Sequence, residues 1–166
     1  MVVFFDFDDT LFDRGKFIRS LAEQMGLSRD EFFRDYDRYF KDKDKPYSLK
    51  KHLEIRGKSD KDNGMDHFLC DLSAFVYSDA HKLLQEFRWQ ADKLLLLSYG
   101  DKDLQNKKIR GSGLAEYFDK IIVTSDKAKT LKEWYSDKER IIFINDKPEE
   151  NERMKNLFPD LEIIKT

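Results

Sequence analysis

The chain of 166 residues has little of what marks several protein classes. It contains a single cysteine, Cys70, so an intramolecular disulfide is excluded and a reducing compartment is expected. Its 31 basic and 33 acidic residues nearly cancel, so no large basic field favours binding to nucleic acid or to a membrane surface. The longest apolar run, Met1 to Phe5, is too short to span a bilayer. Because this run already has the pattern of a core strand, we expect no signal peptide and a cytoplasmic location.

What the sequence does have is a group of acids directly after that first apolar run. Asp6, Asp8 and Asp9 follow Val2–Phe5, and the hydroxyl of Thr10 comes next. Like charges this close repel one another, and burying them is costly unless a cation or hydrogen-bond donors compensate. A hard divalent cation with oxygen ligands is the economical partner, usually Mg²⁺ when a phosphate shares the site.

Four further short apolar runs predict strands, and helical patterns separate them. The runs are Leu94–Leu97, Ile121–Val123, Ile141–Ile144 and Leu161–Ile164. Alternation of strand and helix is typical of a parallel sheet with helices on both faces. The sequence therefore predicts an α/β fold with a doubly wound, parallel, five-stranded, Rossmann-like sheet.

Between the first and second strands the pattern changes to helices alone. Apolar stripes at helical spacing and the capping box Ser28-Arg29-Asp30-Glu31 predict a small helical bundle, with loops dominating 41–64. The three histidines lie within this insertion without metal-ligand spacing, so we expect them to pack or to lie on its surface. We divide the chain into an α/β core of 1–14 and 89–166 and a helical cap of 15–88.

Polar residues at the predicted strand ends form one chemical set. The first strand ends in Asp6, Asp8 and Thr10, the second in Ser98 and the fourth in Asn145-Asp146, while a lysine follows the third. Covalent phosphoryl transfer needs a carboxylate nucleophile with a metal that neutralises charge, and a second acid that moves protons. It also needs a hydroxyl and an ammonium group that hold the phosphoryl oxygens. Either Lys127 or Lys129 can be that ammonium group, and we prefer Lys127 because it begins the helix.

These residues resemble the motifs of the haloacid dehalogenase (HAD) superfamily of aspartate-nucleophile phosphohydrolases. Asp6-Phe7-Asp8-Asp9-Thr10 is similar to its first motif, Asp-x-Asp-x-Thr, and Ser98 is similar to the second. The segment Ser98-Tyr99-Gly100, with Gln105 and Lys108 after it, resembles a Thr-Asn-Gly-x₄-Gln-x-x-Lys segment of several small-molecule phosphatases there.

The resemblance implies roles for individual residues. Asp6 is expected to be the nucleophile and Asp8 the general acid and base, with Ser98 and Lys127 completing the catalytic set. The phosphate would be bound by Thr10, Ser98, Tyr99, Gly100 and Lys127. Mg²⁺ would be held by the carboxylates of Asp6 and Asp146 and the main-chain carbonyl of Asp8. Because carbon–halogen cleaving members lack the second aspartate, dehalogenation is not expected.

The fourth motif departs from the usual forms, which carry two adjacent acids or two acids four residues apart. Here Asn145 precedes Asp146, and Glu150 fills the later acidic position. Glu150 is therefore expected to act on the metal only through water or another ligand.

The sequence thus predicts a Mg²⁺-dependent hydrolase of a small phosphorylated metabolite, a phosphomonoester. Alternatives are a phosphotransferase or phosphomutase with the same chemistry, or a non-catalytic phosphate-binding or receiver-like protein. We expect no nucleic-acid or membrane partner, and the sequence does not indicate an oligomeric state.

Overall fold

The computed structural model describes residues 1–41, 45–59, 64–135 and 139–166. Five strands form one sheet: β1 Val2–Phe5, β2 Lys93–Tyr99, β3 Lys120–Thr124, β4 Ile141–Ile144 and β5 Glu162–Ile164. The described residues also form eight α-helices: α1 Arg14–Gln24, α2 Arg29–Tyr39, α3 Leu49–Ile55, α4 Met65–Cys70, α5 Ala80–Gln90, α6 Lys102–Gly111, α7 Lys127–Trp134 and α8 Pro148–Leu157. The predicted loops of 41–64 fall partly on 42–44 and 60–63, which lie outside the described residues.

All neighbouring strands of the sheet are parallel, in the order β3-β2-β1-β4-β5. β1 is the central strand, and all four of its side chains are buried. Alternate residues point to opposite faces: Val3 and Phe5 join one hydrophobic cluster, whereas Val2 and Phe4 join another. The continuous apolar run of β1 therefore reflects burial on both faces, and the predicted α/β parallel sheet is confirmed.

Between β1 and α5, the described residues form the helices α1 to α4. Helix α2 begins at the expected capping box: the Ser28 hydroxyl accepts from the Glu31 N–H at 3.3 Å, and the Ser28 N–H donates to the Glu31 carboxylate at 2.8 Å. Within the described residues, no helix is long and apolar enough to cross a membrane.

Helix α5 lies on the sheet rather than within the inserted bundle. The rings of Phe87 and Phe5 of β1 meet edge to face at 5.5 Å, and Arg88 forms an ion pair with Asp119 at 2.6 Å, just before β3. Helix α5 thus covers one face of the sheet, as the connecting helix of a β-α-β unit does. We therefore propose that the cap ends before Ala80, which moves the boundary predicted at 88/89 toward the N-terminus.

Candidate active site

The candidate site lies at the carboxyl edge of the sheet, where three central strands end. Because β1 lies between β2 and β4, the residues that follow these strands meet at one edge. This edge of an open parallel sheet is the usual place for a ligand.

Asp6 is the most buried acid of this edge, with 1% of its surface exposed. Its main-chain N–H donates to the Ile144 carbonyl of β4 at 2.9 Å, which fixes the backbone. The Oδ1 atom accepts from the Phe7 N–H at 2.8 Å and contacts the Lys127 ammonium at 2.9 Å. The Oδ2 atom has no hydrogen-bond partner among the described residues, and Lys147 is 3.9 Å away. Burial raises the pKa of Asp6, and the lysines oppose this shift.

Lys127 is the first residue of α7 and is almost fully buried. Its ammonium group bridges Asp6 and Glu150, the latter at 2.8 Å. Burial lowers the pKa of Lys127, but the two carboxylates outweigh it and the pKa lies above its usual value. Lys129, the alternative, is exposed. Of the two candidate lysines, Lys127 is therefore the one in contact with Asp6, and Glu150 is its second carboxylate partner.

A tight turn after Asp6 brings Asp8 and Thr10 back toward the strand ends. The N–H groups of Leu11 and Phe12 both donate to the Phe7 carbonyl, at 2.9 and 3.1 Å, and Asp9 adopts a left-handed φ of 64°. The Thr10 hydroxyl reaches the Asp146 carboxylate at 3.4 Å, so the first and fourth motifs meet.

The side chain of Asp8 is held by two residues to which the sequence analysis assigned no role. Gln105 donates to its Oδ2 at 2.9 Å, and Lys108 forms an ion pair with its Oδ1. Both belong to α6, three residues apart on one face. Burial lowers the pKa of Lys108, which Asp8 opposes. The available sequence signal was the Gln-x-x-Lys spacing, which places the two side chains together but does not identify Asp8 as their partner.

Gln105 also joins Asp8 to Ser98, the second-motif residue. Its amide nitrogen donates to the Ser98 hydroxyl at 2.7 Å and to the Tyr99 carbonyl at 3.1 Å. Gly100 has a φ of 152°, and a Cβ there would be 2.6 Å from Cγ of Gln105. The Gly100 N–H donates to the Thr124 carbonyl at 3.3 Å. The observed contribution of Gly100 is therefore to allow the close approach of Gln105, whereas its predicted contact with phosphate stays a prediction.

Two buried oxygen atoms of the described chain lack hydrogen-bond partners, and both follow central strands. They are Asp6 Oδ2, after β1, and Asn145 Oδ1, after β4. Buried polar atoms without partners call for an explanation such as a bound ion or water. No three His, Cys, Asp or Glu side chains of the described residues are grouped as a metal site. Two carboxylates with a main-chain carbonyl and waters nevertheless fit Mg²⁺, which keeps several of its waters when it binds protein.

A cavity of about 250 Å³ adjoins this edge, between the strand ends and the inserted helices. Its floor includes Asp8, Gln105 and Lys108, and Lys147 lies at its side. Its opposite wall consists of side chains from α1 and α2 and of Pro46 and Tyr47. The insertion therefore lies beside the strand ends that carry the acids.

Comparison with solved structures gives this fold its class. A haloacid dehalogenase-like hydrolase from Burkholderia xenovorans matches 99% of this chain and 80% of its own, with a TM-score of 0.77 and 23% identity. L-2-haloacid dehalogenase from Xanthobacter autotrophicus, with chloropropionic acid covalently bound, matches 99% of this chain and 76% of its own, with a TM-score of 0.62 and 17% identity. The HAD-hydrolase YfnB from Bacillus subtilis, bound to magnesium, matches 88% of this chain and 78% of its own, with a TM-score of 0.52 and 20% identity.

No protein-family model matches the chain, and no curated protein matches it. The chain has the haloacid dehalogenase-like fold, which confirms the fold that its motifs imply.

Proposed function

We propose that the protein is a Mg²⁺-dependent phosphomonoester hydrolase that uses Asp6 as its nucleophile. The observation that carries this proposal is the environment of Asp6. One carboxylate oxygen is held by Lys127 and a main-chain N–H, and the other has no hydrogen-bond partner among the described residues. A carboxylate held in this way is oriented for attack, and its open oxygen suits a cation or an electrophile.

The first step would transfer the phosphoryl group to the enzyme. A carboxylate oxygen of Asp6 bonds to phosphorus while the bond from phosphorus to the ester oxygen breaks. The departing oxygen takes a proton from the carboxyl group of Asp8, which must hold that proton in place of its ion pair with Lys108 for this step. Asp8 suits this role because it lies two residues beyond the nucleophile and because Gln105 and Lys108 fix its position.

The second step would return the enzyme to its starting state. Asp8, now a carboxylate, accepts a proton from water as the water oxygen bonds to phosphorus. The bond between Asp6 and phosphorus breaks, releasing inorganic phosphate and the Asp6 carboxylate. The Ser98 hydroxyl and the Lys127 ammonium group lie at the strand ends, where they would bind phosphoryl oxygens.

Mg²⁺, when bound, would supply positive charge that offsets repulsion between the carboxylate and the phosphate. Asp6, Asp146 and the main-chain carbonyl of Asp8 would hold it. The magnesium in the YfnB structure supports this choice of metal for the fold.

Release of phosphate from p-nitrophenyl phosphate tests the proposal, with Mg²⁺ or with EDTA. We expect turnover that needs Mg²⁺ and that Asp6→Asn abolishes. Asp8→Asn should reduce turnover by about 10²–10⁴-fold, the usual contribution of general acid–base catalysis. Asp103→Asn is the matched control, since that side chain is 70% exposed on α6. Full activity of Asp6→Asn would overturn the proposal.

Dehalogenation is the competing reaction, because a dehalogenase is among the similar structures. Chloride release from 2-chloropropionate measures it directly. We expect none, since Asp8 adds a second carboxylate beside the nucleophile and phosphoryl transfer uses it. Transfer of the phosphoryl group to an added alcohol, followed by mass spectrometry, would distinguish a phosphotransferase from a hydrolase.

A further inference from the structure

The cavity between the strand ends and the insertion contains information about the substrate. Aromatic and aliphatic side chains dominate its outer wall: Phe17 and Ile18 of α1, Phe32, Phe33 and Tyr36 of α2, and Tyr47. Phe33 is 38% exposed, although most large apolar residues of the described chain are buried. Arg29 lies 5.7 Å from the centre of the Phe33 ring. Together with its neighbours on this wall, the ring forms an apolar surface of the kind that lines ligand pockets.

Most polar groups that line the cavity already have partners. Arg14 pairs with Asp9 at 2.9 Å, and Asp101 accepts from the Leu104 N–H at 3.0 Å, whereas the Lys147 side chain is 44% exposed. Lys108 donates to Asp8 and Gln105, and Gln105 donates to Asp8 and Ser98. At the wall, the Tyr47 hydroxyl pairs with His52 at 3.0 Å. A ligand with several hydroxyl groups would lose hydration here and gain few hydrogen bonds, which is unfavourable.

The size of the cavity sets a second limit. An apolar cavity of roughly 150 Å³ holds a benzene molecule. The volume of about 250 Å³ therefore has room for one ring and a short linker. The linker would lead to the strand ends, because Lys147 lines the cavity and lies 3.9 Å from Asp6 Oδ2.

We propose that the substrate is a phosphomonoester whose alcohol part is one apolar or aromatic unit, rather than a sugar or another polyol. The inference rests on the proposed hydrolase function, because it assigns the phosphate to the strand ends and the alcohol part to the cavity. Phe33 is then a specificity-determining residue, since its exposed ring would contact the alcohol part.

Benzyl phosphate and glycerol 3-phosphate are the test pair, because both release primary alcohols and differ mainly in polarity. Acetyl phosphate serves as a small substrate that leaves the cavity wall almost untouched. We expect kcat/KM for benzyl phosphate to exceed that for glycerol 3-phosphate by at least about tenfold, since one methylene group in an apolar pocket already discriminates about 10-fold or more.

Variants of the wall connect the preference to the cavity. Phe33→Ala should lower the ratio of kcat/KM for benzyl phosphate to that for acetyl phosphate by about tenfold, mostly through KM. Ile18→Ala, on the facing helix, tests the same wall if Phe33→Ala does not fold. Trp89→Ala is the matched control: this aromatic side chain of α5 is 90% exposed and outside the cavity, so the ratio should not change.

Binding of benzylphosphonate, measured by calorimetry, separates this inference from the proposed function. Hydrolysis of acetyl phosphate without preference for benzyl phosphate would overturn the substrate class and leave the hydrolase proposal standing. Binding of benzylphosphonate that Phe33→Ala weakens, without hydrolysis of any ester, would support the cavity's ligand class and overturn the hydrolase proposal. Absence of both binding and hydrolysis would overturn both.

Discussion

Gly100 offers a sharp test of how the candidate site is built. A methyl group at this position would lie 2.6 Å from Cγ of Gln105, closer than real Cβ contacts, and 3.0 Å from its Cδ. Gln105 is buried, and its amide nitrogen lies within hydrogen-bond distance of three acceptors: the Ser98 hydroxyl, the Tyr99 carbonyl and the Asp8 carboxylate. Gly100→Ala must therefore move Gln105 or distort the backbone between β2 and α6.

The expected cost has two parts. An L-residue at positive φ costs about 1–2 kcal/mol. Loss of the Gln105 hydrogen bonds costs up to about 1.5 kcal/mol each, and its two amide hydrogens can make at most two of them at full strength. We expect Gly100→Ala to lower the free energy of unfolding by about 2–5 kcal/mol. This corresponds to a fall of about 4–20 °C in Tm, at about 2–4 °C per kcal/mol for a domain of this size.

Gly113→Ala is the matched control. Gly113 also has a positive φ, of 75°, but a Cβ there would meet nothing within 4 Å. This variant should lose only the backbone part, about 1–2 kcal/mol. Urea unfolding, monitored by circular dichroism, gives the free energy of unfolding of both variants. A larger loss for Gly100→Ala than for Gly113→Ala reports the displacement of Gln105.

A double-mutant cycle completes the test. In a Gln105→Ala background, Gly100→Ala should cost less than it does in the unmodified protein, because the crowded side chain is gone. If Gly100→Ala and Gly113→Ala destabilise the unmodified protein equally, the reasoning about Gln105 is refuted.

Further predictions concern two buried residues, Lys127 and His52. Lys127→Met leaves Asp6 without its closest ammonium partner and should lower the free energy of unfolding by about 3–5 kcal/mol. Lys129→Met is the control and should change this free energy little, because Lys129 is exposed. Equal midpoints of urea unfolding for the two variants would contradict the prediction. Burial lowers the pKa of His52, so below its ordinary pKa of about 6.5 the unfolded chain takes up a proton that the folded chain does not. Stability should therefore fall as the pH drops from 7.5 to 5.5, by at most about 1.4 kcal/mol per pH unit, and His52→Gln should reduce this fall while His67→Gln should not.

The fold could be predicted because its signals are local. Each central strand is a short apolar run, and each run has a helical pattern after it, so strand–helix alternation identifies the parallel sheet. Asp6 and Ser98 are recognisable in sequence since they directly follow such runs. Parallel pairing then brings the ends of β1, β2 and β4 to one edge without further information.

The partners of Asp8 could not be predicted, because they are distant in sequence. Gln105 and Lys108 lie 97 and 100 residues away. Helical spacing places these two side chains on one face of α6, but it does not say what faces them. Only the packing of α6 beside the turn after β1 makes the contact.

The two candidate lysines illustrate a different limit. Lys127 and Lys129 are two residues apart, so they point in nearly opposite directions from α7. The choice between them requires the rotation of the helix about its axis, which a short amphipathic pattern defines poorly. The cap boundary predicted at 88/89 meets a similar limit. The apolar stripe with Leu84 and Phe87 indicates a helix with one buried face, but such a helix can pack on a bundle or on a sheet equally well.

The central place of β1 has a consequence for synthesis of the chain on the ribosome. Val2 pairs with Lys93 and with Ile141, so β1 must wait for about 90 residues before its first partner strand exists and about 140 before its second. At about 5–20 residues per second, this amounts to about 5–30 s. During that time Val2–Phe5 is an unpaired apolar segment of the kind that associates with other chains. The acids that follow it flank the segment with negative charge, which opposes such association. Asp6, Asp8 and Asp9 would then protect the nascent strand before they contribute to a folded site.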